Sequence, residues 1–297
     1  AGDAVETDSV GRCDDMKPNH NSPMPREEYI EQAYFFRVYR ERLEDRMPSQ
    51  EILKTVHEEI LSTTRLPMAI DFLRAEILHS GRISDAMKRL PHYFAPFQTF
   101  VIGRAEDELA KFDLVTALLI LEREAHYRAE GATMPGVFVY QLECVARNRL
   151  GYVDGIPAIA GDPCFDERWK RWIMTLRQRL GAKELSELVY HASAHFAARR
   201  IGRSSVPPGS PTTVTDCSAS NRSSAEKTAV EGVSDSTSAS AGSADADQTA
   251  AESAPLFGDP EGRIARANIG RDPLYFFAAL QRQLGYPEVP LSRKTLD

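Results

Sequence analysis

The side chains of this chain able to do chemistry fall into three small groups. Glu76 and His79 stand three residues apart, the spacing with which helical bundles present ligands to paired iron ions. A di-iron site takes two such motifs and two further glutamates, and no second Glu-x-x-His is present; Glu124 and His126 do not share a helix face. Glu187, His191 and His195 recur at spacing four, and two histidines one turn apart ligate zinc when a third ligand joins them. No glutamate follows His191 to complete a metalloprotease motif. Asp107 and Glu108 offer oxygen to a cation, but too few ligands to make a site. A surface ion pair or capping role for Glu76 and His79, and a half-exposed polar face for Glu187, His191 and His195, are the plainer readings. There is no glycine-rich phosphate loop, no nucleophile elbow and no Cys–His pairing. No catalytic, cofactor-binding or metal-ligating residue is therefore assigned, and no cofactor is expected.

These residues sit in a chain of 297 with 42% hydrophobic and 27% charged side chains, an ordinary globular balance. Its formal net charge of -7 argues against nucleic acid as a partner for the whole chain. The basic clusters at Arg168, Lys170, Arg171 and at Arg199, Arg200, Arg203 read as helix faces or helix ends. The run from Arg37 to Arg46 has ion-pair spacing and reads as a solvated face. Cys13, Cys144, Cys164 and Cys217 show no zinc spacing and read as reduced thiols, which fits a cytoplasmic location. No apolar run approaches the roughly 18 residues that span a bilayer, so no transmembrane insertion is expected. The best stretch is Leu114 to Leu121. The first 28 residues show no signal pattern, although the chain does not begin with Met.

Breakers divide the sequence into elements. Residues 1–24 read as a disordered arm. Residues 25–150 read as a helical bundle, 151–202 as an additional helical pair packed on it, and 203–255 as a disordered Ser/Ala/Asp-rich linker. Residues 256–297 hold a short C-terminal docking helix from Pro273 to Leu284. Within the bundle, helices are expected over 26–46, from a Ser49 cap through Ile60, over 66–79 with Gly81 as left-handed cap, and from a Ser84 cap to Leu90. Others follow over 96–108, from an Asp113 cap to Ala129, and from Pro135 to near Gly151. A Gly/Pro-rich loop is expected over 152–165, then helices from an Asp166 cap to Leu180 and from Lys183 to Arg200. No alternating segment reads as a strand. The class is all-α, an antiparallel helical bundle as the short connections imply. The linker, by its length, would span roughly 40 Å as a flexible tether.

One phrase carries more information than the rest. Gly81-Arg82-Ile83-Ser84-Asp85-Ala86-Met87 is followed by Pro91 and then Phe94-Ala95-Pro96. An aromatic helix with Phe36 and Leu43 precedes it and ends at Arg46-Met47-Pro48-Ser49. Glu106-Asp107-Glu108-Leu109-Ala110-Lys111-Phe112-Asp113 comes after it, and Arg128 leads into Met134-Pro135-Gly136-Val137-Phe138. In this order, residues 29–150 resemble the cytoplasmic domain of the type II secretion system F family, the inner-membrane platform proteins of secretion systems and type IV pili. The family phrase "Gly-Glu-x-Ser-Gly-x-Leu-Asp" has lost both glycines here. The family's membrane helix would begin at Pro135, yet Glu143, Arg147 and Arg149 interrupt it. Each central charge costs about 2.5–3.5 kcal/mol to insert. The helix after Pro135 is therefore expected to stay in water, packed through Val137, Tyr140, Leu142 and Val145.

The resemblance implies a six-helix bundle in the cytoplasm that works by touching other proteins rather than by catalysis. Protein partners, among them secretion or pilus assembly components, and self-association through helix faces follow from it. The order Tyr275-Phe276-Phe277 with Leu284 echoes Tyr34-Phe35-Phe36 with Leu43, either as the stub of a second family copy or by chance. The alternative from another class is a helical metal-binding protein or metalloenzyme using Glu76 and His79, or His191 and His195. A third is a regulatory scaffold in which phosphorylation of the Ser-rich tether shifts docking of the tail helix.

Overall fold

The computed structural model of the protein describes residues 24–60, 63–107, 109, 112–204 and 254–292. Of the expected arm 1–24 and the expected linker 203–255, residues 1–23 and 205–253 lie outside the described residues, as do Cys13, Cys217 and Glu108, while residues 203–204 belong to a helix. The fold is all-α. Helices α1 (Arg26–Glu44), α2 (Ser49–Glu59), α3 (Leu66–Ser80), α4 (Ile83–Lys88), α5 (Pro96–Ala105), α6 (Leu114–Ala129) and α7 (Met134–Arg147) follow one another closely. Then come α8 (Tyr152–Ala160), α9 (Glu167–Arg179), α10 (Leu185–His191), α11 (Ala194–Ser204), α12 (Asp259–Ala267) and α13 (Pro273–Leu284). None of them is long and apolar enough to cross a membrane.

Local chemistry accounts for several boundaries. Asp113 accepts from the Thr116 amide at 2.7 Å and opens α6, and Asp166 accepts from Trp169 at 2.8 Å to open α9. Gly81 closes α3 at φ 70°, its amide bonded to the Ile77 carbonyl. Other expectations need correction. Ser84 does not cap α4. It is the second residue of that helix, and its buried hydroxyl has no hydrogen-bond partner. The cap comes from across the fold: Ile83 and Ser84 amides donate to the two carboxylate oxygens of Glu106, at 2.6 and 3.1 Å. A negative charge there meets the positive end of the α4 dipole as well as its free amides. Ser49 begins α2 without a side-chain cap.

Two further corrections concern segments after α7. The stretch 152–165 is not a loop throughout, since α8 occupies Tyr152–Ala160 with Pro157 inside it. Gly155 has a packing reason: a Cβ there would meet the Val145 methyls at 3.0 and 3.1 Å, so glycine lets α8 lie close on α7. The expected helix over 183–200 breaks into α10 and α11 at Ala192–Ser193. That break is fixed by pairing with the distant tail. Ala194 donates to the Phe257 carbonyl and Leu256 to the Ala192 carbonyl, both at 2.9 Å.

The most extensive packing between two helices is α1 against α6; Tyr29, Ala33 and Phe36 of α1 and Ala117, Leu121 and Ala125 of α6 are all buried. Helices α2 to α5 pack onto one another in chain order, and α5 meets both α6 and α8. Helix α7 is the innermost element, buried without interruption from Gly136 to Val145. A helix apolar on nearly every side must be enclosed. The enclosing groups include an aromatic cluster of Phe138, Trp169, Trp172 and Phe257, with ring centroids 5.1–6.1 Å apart. Such pairs add about 0.5–1.5 kcal/mol each beyond area burial.

The tail contributes two helices where the sequence suggested one, and both pack on the same chain. Tyr127 donates to the Leu284 carbonyl at 2.8 Å, and Asn148 to the Pro290 carbonyl at 2.9 Å. Asn148 in turn accepts from Ser292, and the Ser292 hydroxyl reaches Asp113 at 2.5 Å. Tyr286 lies 2.8 Å from Glu143, the residue that marks α7 as unfit for lipid. Burial raises the Glu143 carboxyl above its usual range, against the lowering pull of Tyr286 and Arg147. The tail thus supplies a polar partner for a carboxylate on the innermost helix.

Candidate functional site

The Gly81–Phe97 phrase builds a surface feature with the mixed character of a binding site. Pro91 lies in the turn after α4, which the Tyr93 and Phe94 amides close on the Leu90 carbonyl, and Phe94 and Phe97 are buried in the core. The geometry of this turn is held by a buried amide relay. Gln32 of α1 donates to the Tyr93 carbonyl at 3.1 Å, and Gln98 of α5 donates to Gln32 at the same distance. Between α4, α5 and α8 this leaves an open hollow of about 530 Å³. Met87, Phe94, Pro96 and Phe100 give it an apolar floor, while Arg82, Lys88 and Arg104 stand around it with a single carboxylate, Asp154. Ser84 and Gly103 meet in its wall: a Cβ on Gly103 would lie 3.5 Å from Ser84 Cβ, an ordinary contact. Of the lining residues, Arg82, Ser84, Met87, Pro91, Phe94 and Pro96 stood in the phrase read from sequence. Phe100, Gly103, Arg104 and Asp154 had no local signal, because only the packing of α5 against α8 brings them together.

The residues considered for metal chemistry are dispersed. Glu76 is ion-paired with Arg89, and His79 lies exposed near the end of α3. His191 shares α10 with Glu187, 3.6 Å away, and Glu187 is bonded to Lys183. The Lys183 hydrogen bond holds the Glu187 carboxyl below its usual range. His195 lies beyond the helix break and pairs with Asp259 of α12 at 2.9 Å. The Asp259 carboxyl is held low chiefly by that bond. Among the described residues, no three His, Cys, Asp or Glu side chains gather as a metal site.

A second group of charges lies where sequence reading placed none. Arg128 of α6 donates to Glu124 at 2.7 Å and to Asp162 at 2.5 Å. Gln141 of α7 donates to the same two carboxylates at 2.7 and 2.9 Å. All four side chains are buried, with at most 6% exposure for Arg128. Burial pushes the Glu124 carboxyl up, beyond what Arg128 can offset. Burial acts on Asp162 as well, but Arg128, the Cys164 amide and Gln141 together hold it below its usual range. This group ties α6, α7 and the segment after α8 together. The run from Arg37 to Arg46 is likewise not a purely solvated face, since Arg40 bridges to Glu122 of α6 and Arg42 to Glu59 of α2.

Helix α3 shows a different anomaly. Leu66, Ile70, Leu73 and Ile77 bury one side of it, yet Met68 and Leu78 face outward at 71% and 68% exposure. With Asp71 and Ala75 between them, they form an exposed stripe at helical spacing, and a shallow groove runs beside it to Pro48 and Lys54 of α2. No protein-family model matches the chain, and comparison with curated proteins and with solved structures returns no match.

Proposed function

We propose that this chain is a non-catalytic helical contact module, an adaptor or scaffold similar to the cytoplasmic domain of the type II secretion and type IV pilus platform proteins. The observation that carries this reading is the second apolar stripe of α3. An exposed helix needs one apolar face to fold, and large side chains on the opposite face add nothing to its own core. Met68, Ala75 and Leu78 offer a partner an apolar strip that Asp71 interrupts, with Arg74 ion-paired to Asp71 beside it. Such patches mark protein contact surfaces. The partner is a protein of the cytoplasm, and components of a secretion or pilus assembly are the first to test.

The test pairs the parent with a Met68→Asp, Leu78→Asp variant. Both residues are exposed, so helix content and unfolding midpoint should stay as in the parent. Affinity capture from the native cell should recover a defined set of proteins with the parent and lose it with the variant. Identical recovery by both, or none by either, refutes the contact role of α3. A parent dimer that the variant turns into a monomer would make a second copy of the chain the occupant of the stripe.

A further inference from the structure

We infer that the hollow between α4, α5 and α8 binds a small amphiphilic anion, an apolar chain or ring bearing one carboxylate or phosphate head. The inference stands apart from the α3 stripe and does not depend on it.

Volume, floor and charge converge on this class of ligand. A hollow of about 530 Å³ falls within the range of small-molecule sites. Its floor of Met87, Phe94, Pro96 and Phe100 suits an apolar body. Three cations and one carboxylate line it, so its net charge favours an anion. The acids that accompany these cations, Glu106, Asp85 and Asp107, lie off the lining. Arg82 and Arg104 stand 3.7 and 3.6 Å from theirs, too far for hydrogen bonds. Both guanidinium groups therefore keep donors to give.

Two polar atoms in the wall lack partners. Ser84 is 1% exposed and its Oγ makes no hydrogen bond. Arg104 Nε is also buried without one. Burying a polar group unpaired is costly, and native folds pair nearly all of them. The two groups line the same hollow, and an anionic head seated there takes a hydrogen bond from each. Gly103 leaves the wall beside Ser84 without a side chain; a methyl there would lie 3.5 Å from Ser84 Cβ and 3.7 Å from its Oγ, filling the space next to the hydroxyl.

Sodium decanoate below its micelle concentration is the probe, titrated calorimetrically into the full chain. Decylamine hydrochloride is its cationic counterpart. One decanoate per chain should bind, and decylamine should not. Arg104→Gln should weaken decanoate about tenfold or more, as loss of a charge-assisted bond does. Ser84→Ala should weaken it by roughly threefold to tenfold. Gly103→Ala, a change that favours the helix, should also weaken it while the unfolding midpoint rises or stays. Met68→Asp, Leu78→Asp should bind decanoate as the parent does. Decanoate and decylamine binding alike, no saturable heat at millimolar decanoate, or an affinity unchanged in the three hollow variants would each overturn the inference.

Discussion

Replacing Arg128 by methionine should cost this fold far more than replacing its neighbour Glu124 by glutamine, although both substitutions remove one ionisable member of one cluster. Without Arg128, Asp162 keeps the Gln141 amide at 2.9 Å and the Cys164 amide at 3.1 Å, but no counter-charge. It has no exposed surface through which water could compensate. Stranding one member of a buried ion pair costs about 3–5 kcal/mol. With an m-value of about 3 kcal/mol/M in urea, that is a fall of about 1–1.7 M in the unfolding midpoint. Glu124→Gln acts on a carboxyl that burial already drives toward its neutral form. The new amide also gives the Gln141 carbonyl, which has no donor, a group to accept from. Its cost should stay under about 1 kcal/mol.

The same pair predicts opposite pH responses. The folded Glu124 carboxyl is raised, so its contribution is complete below the ordinary glutamate pKa of about 4.3 and is lost as pH climbs through the folded value. The folded Asp162 carboxyl is lowered. Its contribution is complete above the ordinary aspartate value of about 3.9 and is lost as pH falls through the folded one. Urea melts of parent and Glu124→Gln from pH 3 to 8 separate the two. The parent should lose ground to the variant as pH rises above about 4.3. A Glu124→Gln midpoint as low as that of Arg128→Met would refute the charge assignment, as would a parent–variant gap indifferent to pH.

Two shorter predictions test the packing of the tail and the thiols. Gly262→Ala should cost about 1–3 kcal/mol by overpacking, since the new Cβ would fall 2.6 Å from His195 Cβ and 2.7 Å from Ser193 Cβ. Hydrogen exchange at the Leu256 and Phe257 amides, which pair with the α10–α11 corner, should speed up with it. Cys144 and Cys164 are free thiols whose ionisation burial opposes, so both should resist iodoacetamide at pH 8 until urea is added. Peptide mapping reads each cysteine separately, and rapid labelling of Cys144 in the native chain would contradict its enclosure in α7.

The sequence yielded the features whose cause is local. Asp113, Asp166 and Gly81 end or begin helices by bonds spanning three or four residues, and such bonds leave a readable signature. The charges in the stretch after Pro135 were also readable, because no bilayer helix accommodates Glu143 cheaply. What could not be read has distant causes. Gly155 and Pro157 look like breakers, yet α8 forms around them, and Gly155 suits its place because a Cβ there would crowd the Val145 methyls at 3.0 and 3.1 Å. The periodicity of 183–200 is unbroken in the sequence, and only the strand-like pairing of Ser193 with Phe257 interrupts it.

The candidate site follows the same division, and the case of Ser84 shows why. A serine two residues after a helix-ending glycine and arginine has the composition of a cap, so sequence alone assigns it the α4 amides. Glu106, 22 residues onward, takes those amides instead, with a full charge where serine offers a dipole. Ser84 is thereby released from a structural task and left buried in the wall of a hollow with nothing to bond. Arg104 is released in a similar way, because its nearest carboxylate on Asp107 lies beyond hydrogen-bond reach. A chain selected for stability alone would gain by placing alanine at 84 and at 103, where space allows it. The serine hydroxyl, the side-chain-free glycine beside it and the unpaired Arg104 Nε converge on one hollow, and a bound anion would convert all three from costs of folding into contributions to binding.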